Sequence, residues 1–254
     1  MKVELAGVPE TLLWTLWHRS LEARRADAVL ADPKAVELVD AIDYPFAQRF
    51  GGGQAALAQW QALRVLRFDQ EVRRFLAAHP DGTVVALGEG LETQFWRVDN
   101  GRLRWVTVDL PETIEIRDRL LSRADRQTVI AGSAFDEGWI DAVDASNGVL
   151  ITAQGLFMYF EFGLVERLVE AMRRRFPGGT LVFDAVPNWQ AKRSRKPRSD
   201  GGYQSPPWQW GIDKDKRRAL GAERLNLPRG RGVFFGVVSP VLRLDFVEIL
   251  RSDF

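Results

Sequence analysis

The sequence predicts an α/β fold, a mostly parallel sheet covered by helices on both faces and preceded by a helical segment. Three observations predict it. From Thr83 onward, short apolar runs alternate with stretches of helical spacing, the pattern of βαβ units with buried parallel strands. Ahead of Pro80, apolar residues recur only at helical spacing. The 254 residues are 46% apolar, enough for one large core without a second domain.

From Pro9 to about Ala31 a helix is predicted, because Leu13, Leu16, Trp17 and Leu21 form one stripe. Asp32-Pro33 breaks it and KAVELVDAI forms a second helix. Tyr44-Pro45-Phe46 and Gly51-Gly52-Gly53 read as loops, and Gln54 to His79 as a third helix. After Pro80-Asp81-Gly82, TVVALG is a buried strand, LETQFWRV the start of a helix, and RLRWVTVDL a second strand. PETIEIRDRLLSRA is a helix with Pro111 in its first turn, where its missing N–H costs nothing. QTVIAGS and GVLITAQGLFMYF supply the third and fourth strands. FGLVERLVEAMRRRF is an amphipathic helix stopped by Pro177-Gly178-Gly179, and TLVFDAV is the fifth strand. Pro187 to about Gly232 is irregular. GVFFGVVS and LRLDFVEIL then look like a terminal strand pair, and no internal repeat is evident.

Thirty-five basic residues balance 34 acidic ones, so no global field favours nucleic acid or an acidic membrane. Cysteine is absent, which removes disulfides, thiolate chemistry and Cys-ligated zinc. His18 and His79 are the only imidazoles, which argues against a histidine metal site; no metal is expected. Neither a signal peptide nor an apolar run of spanning length stands out, so a cytoplasmic protein without a membrane partner is expected.

The stretch VVALGEGLETQFWR carries the functional signal. In an open parallel sheet the ligand lies beyond the carboxyl ends of the strands, and Gly88 and Gly90 let the backbone turn tightly there. Asp109 follows Gly90 by 19 residues and ends the second strand, where an acid accepts hydrogen bonds from the hydroxyls of an adenosine ribose. A dinucleotide fingerprint wants a third glycine, where Gln94 stands, and Glu89 and Glu92 at the helix N-terminus would repel a pyrophosphate. Both disfavour NAD and FAD. S-adenosylmethionine, with a cationic sulfonium and no phosphate, is compatible. The plainer alternative is that GEG is only a tight strand–helix turn.

RVLRFD (64–69), VVALGEGLETQFWRV (84–98), VTVDLPETIEIRDRLL (106–121) and ITAQGLFMYF (151–160) together resemble the leucine carboxyl methyltransferase family, in its bacterial branch of polyketide O-methyltransferases. The resemblance implies the class I S-adenosylmethionine-dependent methyltransferase fold, a Rossmann-like sheet of seven strands with the last antiparallel, plus an N-terminal helical lid. A single domain, 1–254, would then comprise a lid at 1–80, a cofactor-binding core at 81–186, and a substrate-side loop with terminal strands at 187–254. Arg64 matches the arginine that grips the cofactor's methionine carboxylate, although Arg67 could take that role. Gly88 and Gly90 match the turn under the cofactor, and Asp109, with Leu110 beside it, the ribose acid. Ala134 and Phe135 fall where the family brackets the adenine, though Phe135 could simply be core. Gln154 stands where eukaryotic members commonly have a cofactor-facing glutamate. It reads as a branch marker, and could instead cap a strand end. Glu92 likewise replaces an aspartate.

Methyl transfer from a sulfonium is an in-line displacement that chiefly requires alignment and exclusion of water. A carboxylate acceptor needs no base; a phenol benefits from one. No compelling base is evident, because His18 reads as a helix-surface or lid histidine and His79 as a helix-end histidine. The expectation is therefore methyl transfer to a carboxylate or phenolic oxygen of a small aromatic molecule, catalysed by positioning. Trp14, Trp17, Tyr159 and Trp189 could stack on such a substrate, or could pack the lid on the sheet. SPPW (205–208) resembles an amino-methyltransferase motif but falls past the fifth strand, so it reads as a proline turn. QAKRSRKPRSDGG (190–202) reads as a solvated loop, not a nucleic-acid contact. Two alternatives stay open: a catalytically silent binding protein and a nicotinamide oxidoreductase, the latter disfavoured by the missing third glycine and the lack of a Tyr-x-x-x-Lys dyad.

Overall fold

At the centre of the fold lies β1 (Thr83–Leu87), all five residues buried. A computed structural model of the chain describes residues 10–52, 54–196, 203–232, 234–238 and 247–254. In it β1 pairs in parallel with β2 (Arg104–Asp109) on one side and β4 (Val149–Ala153) on the other. Adding β3 (Gln127–Ala131), β5 (Thr180–Ala185), β6 (Ala222–Leu225) and β7 (Glu248–Asp253) gives one seven-stranded sheet in the order β3-β2-β1-β4-β5-β7-β6. β7 runs antiparallel to both its neighbours, as expected of the last strand.

Successive residues of each central strand enter different layers, because side chains alternate across a sheet. Val85, Leu87, Val106, Val108, Ile151 and Phe183 pack on α7 (Gly138–Ala142) and α8 (Phe162–Arg175). Val84, Ala86, Trp105, Leu150 and Val182 pack on α4 (Ala55–Ala78) and α5 (Gln94–Val98). Each such buried large side chain stabilises the fold by about 1.5–3 kcal/mol. A third cluster joins α1 (Thr11–Ala23), α2 (Pro33–Ala41) and α3 (Phe46–Phe50) through Leu13, Leu16, Leu38, Phe46 and Phe50. Leu91 of the glycine turn belongs to this cluster, which attaches the N-terminal helices to the strand ends.

Three differences from the sequence expectations have local causes. The first helix stops at Ala23 instead of Ala31, since Glu22 accepts the N–H of Val29 (2.8 Å) and turns the chain back. Of the expected terminal strand pair, Phe234–Val238 form one wide helical turn, with Phe235 buried in the α4-side cluster, while positions 233 and 239–246 lie outside the described residues. The sixth strand is instead AERL at 222–225, whose mixed exposure at the sheet edge hides it from an apolar-run criterion. The stretch expected to be irregular also holds α9 (Asn188–Ser194) and α10 (Lys214–Ala219), while positions 197–202 of the basic run lie outside the described residues. Among the described residues, no helix is long and apolar enough to cross a membrane.

Candidate cofactor site

The strand order reverses between β1 and β4, and in an open parallel sheet that switch point opens a crevice beyond the carboxyl ends. Gly88 and Gly90 lie there in left-handed conformation, φ 59° and 56°, which costs an L-residue about 1–2 kcal/mol. Both are also closely approached. A Cβ on Gly88 would fall 2.8 Å from Leu156 Cδ1, and one on Gly90 3.3 Å from Leu12 Cβ. The alternate glycines thus answer both to backbone handedness and to the side chains resting on the turn.

Asp109 closes that turn. Its Oδ2 accepts the Gly90 N–H (2.7 Å) and its Oδ1 the Leu110 N–H (2.8 Å). Burial raises the Asp109 pKa, against the pull of these donors. Leu110 heads α6 (Pro111–Leu120) and is 40% exposed. Ala134 is buried, its carbonyl accepting Trp139 Nε1–H (2.9 Å). Phe135 packs at 4.2 Å from the Phe160 ring and is only partly buried.

Glu89 and Glu92 correct the electrostatic argument drawn from sequence. Glu89 accepts from Thr107 Oγ1 (2.5 Å), Trp105 Nε1 (3.3 Å) and Arg117 Nη2 (2.7 Å). Glu92 accepts from Arg19 Nη1 (2.6 Å) and Arg97 Nη2 (2.8 Å). Burial alone would raise Glu92, but Arg19 and Arg97 outweigh it and bring its pKa to about 2. These acids are neutralised inside the protein, so they do not repel an anion beside the turn. What still disfavours a dinucleotide in the sequence is Gln94 in place of the third glycine and, for a nicotinamide enzyme, the missing Tyr-x-x-x-Lys dyad. The same arginines hold the turn: Arg117 donates to the carbonyls of Gly90 (2.8 Å) and Glu92 (2.7 Å), Arg19 to that of Leu91 (2.9 Å). Asp32, the N-cap of α2, joins in through Arg19 (3.2 Å) and Arg97 (2.9 Å). Asp69 of α4 binds Arg97 at 2.8 Å.

Arg64 reaches the strand ends from α4, buried, with its Nε ion-paired to Asp184 of β5. Its Nη1 makes one long contact, 3.4 Å, to Gln61 Oε1. Arg67 pairs instead with Glu71 (2.6 Å) and is not the residue at the crevice. Gln154 donates to Gln94 Oε1 (3.2 Å), and Gln94 in turn to Asp69 (3.0 Å). The buried Oε1 of Gln154 has no hydrogen-bond partner among the described residues.

The structure gathers only part of the expected aromatic set. Tyr159 is hydrogen-bonded to Trp208 and Thr11 and feels the charges of Asp184 and Arg64. The Trp14 ring lies tilted against His18, 4.7 Å between centroids. Trp17 packs within the N-terminal layer, stacked on Phe46 (5.5 Å) with Nε1 bonded to the Gly51 carbonyl (2.9 Å). Trp189 is 56% exposed on α9. His18 is not on a helix surface: it is fully buried, Nδ1 2.8 Å from the Trp14 carbonyl, and burial lowers its pKa. Asp184 and Trp208 were missed in the sequence, although an acid inside the apolar run TLVFDAV was a signal for the first.

This sheet order, with its glycine turn at the switch point, is that of the class I methyltransferase fold. Solved structures of like fold include the N-methyltransferase NodS of Bradyrhizobium japonicum WM9 in complex with S-adenosyl-L-homocysteine (TM-score 0.50, 13% identity, 94% of this chain and 97% of that one). Another is a duf574 family protein of Streptomyces avermitilis (TM-score 0.57, 12% identity, 94% and 96%). In sequence, the leucine carboxyl methyltransferase family matches residues 13–172. The tetracenomycin polyketide synthesis O-methyltransferase TcmP of Streptomyces glaucescens is 35% identical over 215 residues, 83% of this chain and 77% of that protein. The chain belongs to the leucine carboxyl methyltransferase family. It is a methyltransferase that uses S-adenosylmethionine, which removes the nicotinamide alternative.

Proposed function

We propose that the chain transfers the methyl group of S-adenosylmethionine to an oxygen, carboxylate or acidic phenol, of a small aromatic acceptor of polyketide type. The observation that carries the cofactor half is Asp109, a buried carboxylate at the end of β2 tied to the N–H groups of Gly90 and Leu110. For an oxygen acceptor the support is the 35% identity to TcmP, an O-methyltransferase by name.

The bound cofactor supplies an electrophilic methyl group on a sulfonium. Asp109 accepts the ribose hydroxyls, the Nη edge of Arg64 takes the methionine carboxylate, and the partnerless Gln154 Oε1 accepts an ammonium N–H. Ala134 and Phe135 flank the adenine. The helices ahead of Thr83 act as a lid that excludes water. Tyr159 and Trp208, with Trp14 and Trp189 at the margin, form the aromatic wall for the acceptor; Trp17 supports it from within the lid. His18 stays neutral and contributes packing, so alignment is the main source of rate.

Methyl-labelled cofactor offered with aromatic acids and phenols tests the reading. Alkali-labile label marks an ester and alkali-stable label an aryl ether; either supports oxygen transfer. Label appearing only on amines, or cofactor binding without transfer to any acceptor, contradicts it. Turnover should survive His18→Ala.

A further inference from the structure

Asp184 is the next-to-last residue of β5 and is 1% exposed, an unusual place for a carboxylate unless both oxygens are occupied. Both are. Oδ2 takes the Nε–H of Arg64, and Oδ1 takes the N–H of Gly155 at 2.7 Å. Gly155 has φ 67°, and a Cβ there would stand 3.3 Å from Arg64 Nη2, so the guanidinium lies against the peptide that Asp184 holds. One carboxylate thereby joins the exits of β4 and β5 to an arginine of α4.

The geometry has a chemical consequence. An arginine gripped at Nε keeps its Nη1–Nη2 edge for a second carboxylate, which that edge binds through two parallel bonds. The only described hydrogen bond on the edge is the 3.4 Å contact to Gln61. Asp184 also balances the buried guanidinium when no ligand is present.

We infer that Asp184 is a positioning residue that aims the Nη edge of Arg64 at the carboxylate of the cofactor's methionine end, acting through the guanidinium and never on the ligand. The inference rests on the proposed role of Arg64.

The test compares S-adenosylhomocysteine with 5′-methylthioadenosine, the same nucleoside without the amino-acid end, by calorimetry on the full chain. Asp184→Asn keeps the shape but leaves one of its two donors without an acceptor. It should weaken S-adenosylhomocysteine by about tenfold or more, the size of one charge-assisted hydrogen bond, while methylthioadenosine changes by less than about twofold. Asp184→Glu, which keeps the charge but shifts the guanidinium, should show the same split at smaller size. Arg64→Gln combined with Asp184→Asn should bind S-adenosylhomocysteine no worse than Arg64→Gln alone. Equal weakening of both ligands, or no change in either, overturns the inference. If Arg64→Gln itself fails to distinguish the two ligands, the reading of Arg64 falls instead, whatever Asp184→Asn does.

Discussion

Two groups of buried charge meet at the strand ends, and they are built differently. Around the glycine turn, every terminal nitrogen of Arg19, Arg97 and Arg117 has a partner. Arg97 alone binds Asp32, Asp69, Glu92 and Thr93 at 2.7–3.1 Å. At the crevice the bonding is sparser: Arg64 has an ion pair at Nε and one long contact beyond it, and Gln154 Oε1 has no partner among the described residues. Saturated groups have nothing left for a ligand. Groups with spare donors or acceptors do, and among the buried arginines that spare capacity separates binding from structure. Glu89 and Glu92, the acids nearest the glycines in sequence, fall on the structural side.

The comparison breaks first at Arg97. Arg97→Ala takes the ion-pair partner from buried Asp69 and leaves Asp32 and Glu92 with Arg19 alone, and removing one partner of a buried pair costs about 3–5 kcal/mol. Denaturant unfolding should show a loss of at least that size, and a loss under about 1 kcal/mol would mean the network is not structural.

Gly88→Ala sharpens the boundary between the groups. The left-handed φ of 59° and the 2.8 Å approach of Leu156 predict a stability loss of about 1–2 kcal/mol, together with weaker cofactor binding. A stable variant that binds normally would show that the turn does not require glycine.

The smallest effect is a pH dependence at His18. Burial lowers its folded pKa below the ordinary histidine value of 6.5, so the unfolded chain binds the proton more readily. The stability is present above the unfolded pKa near 6.5 and is lost as pH falls toward the folded value. Each tenfold difference in proton affinity between the two states is worth about 1.4 kcal/mol. Melting temperatures from about pH 7.5 to 5 should therefore fall more steeply for the wild type than for His18→Gln. Parallel curves would contradict a buried neutral imidazole.

How much of this was legible in sequence follows the same division. β1, β2, β4 and β5, the glycine turn and Asp109 were legible because apolar runs ending in glycine or acid are dictated by burial on both sheet faces, while the edge strand β3, only partly buried, was legible from its branched TVI run. β6 was not, since AERL is a polar edge strand stabilised by pairing with β7. The fates of Glu89 and Glu92 were hidden for a different reason. Arg117 stands 28 residues from Glu89 and Arg19 73 from Glu92, and only the fold brings these near, although Arg97 lies just five residues past Glu92. Asp184 and Arg64 are 120 residues apart, and only packing of α4 across the ends of β4 and β5 unites them. His18 lay on the predicted helix, but its burial depends on how α1 meets α2 and α4.

The central claim is that the ribose of the cofactor is held by Asp109 beside the glycine turn. Titration of S-adenosylhomocysteine into Asp109→Ala tests it most directly, with the melting curve of the unliganded variant recorded alongside. The account predicts affinity lower by about tenfold or more, with a folded protein whose unliganded melt stays cooperative. Wild-type affinity in that variant would contradict it.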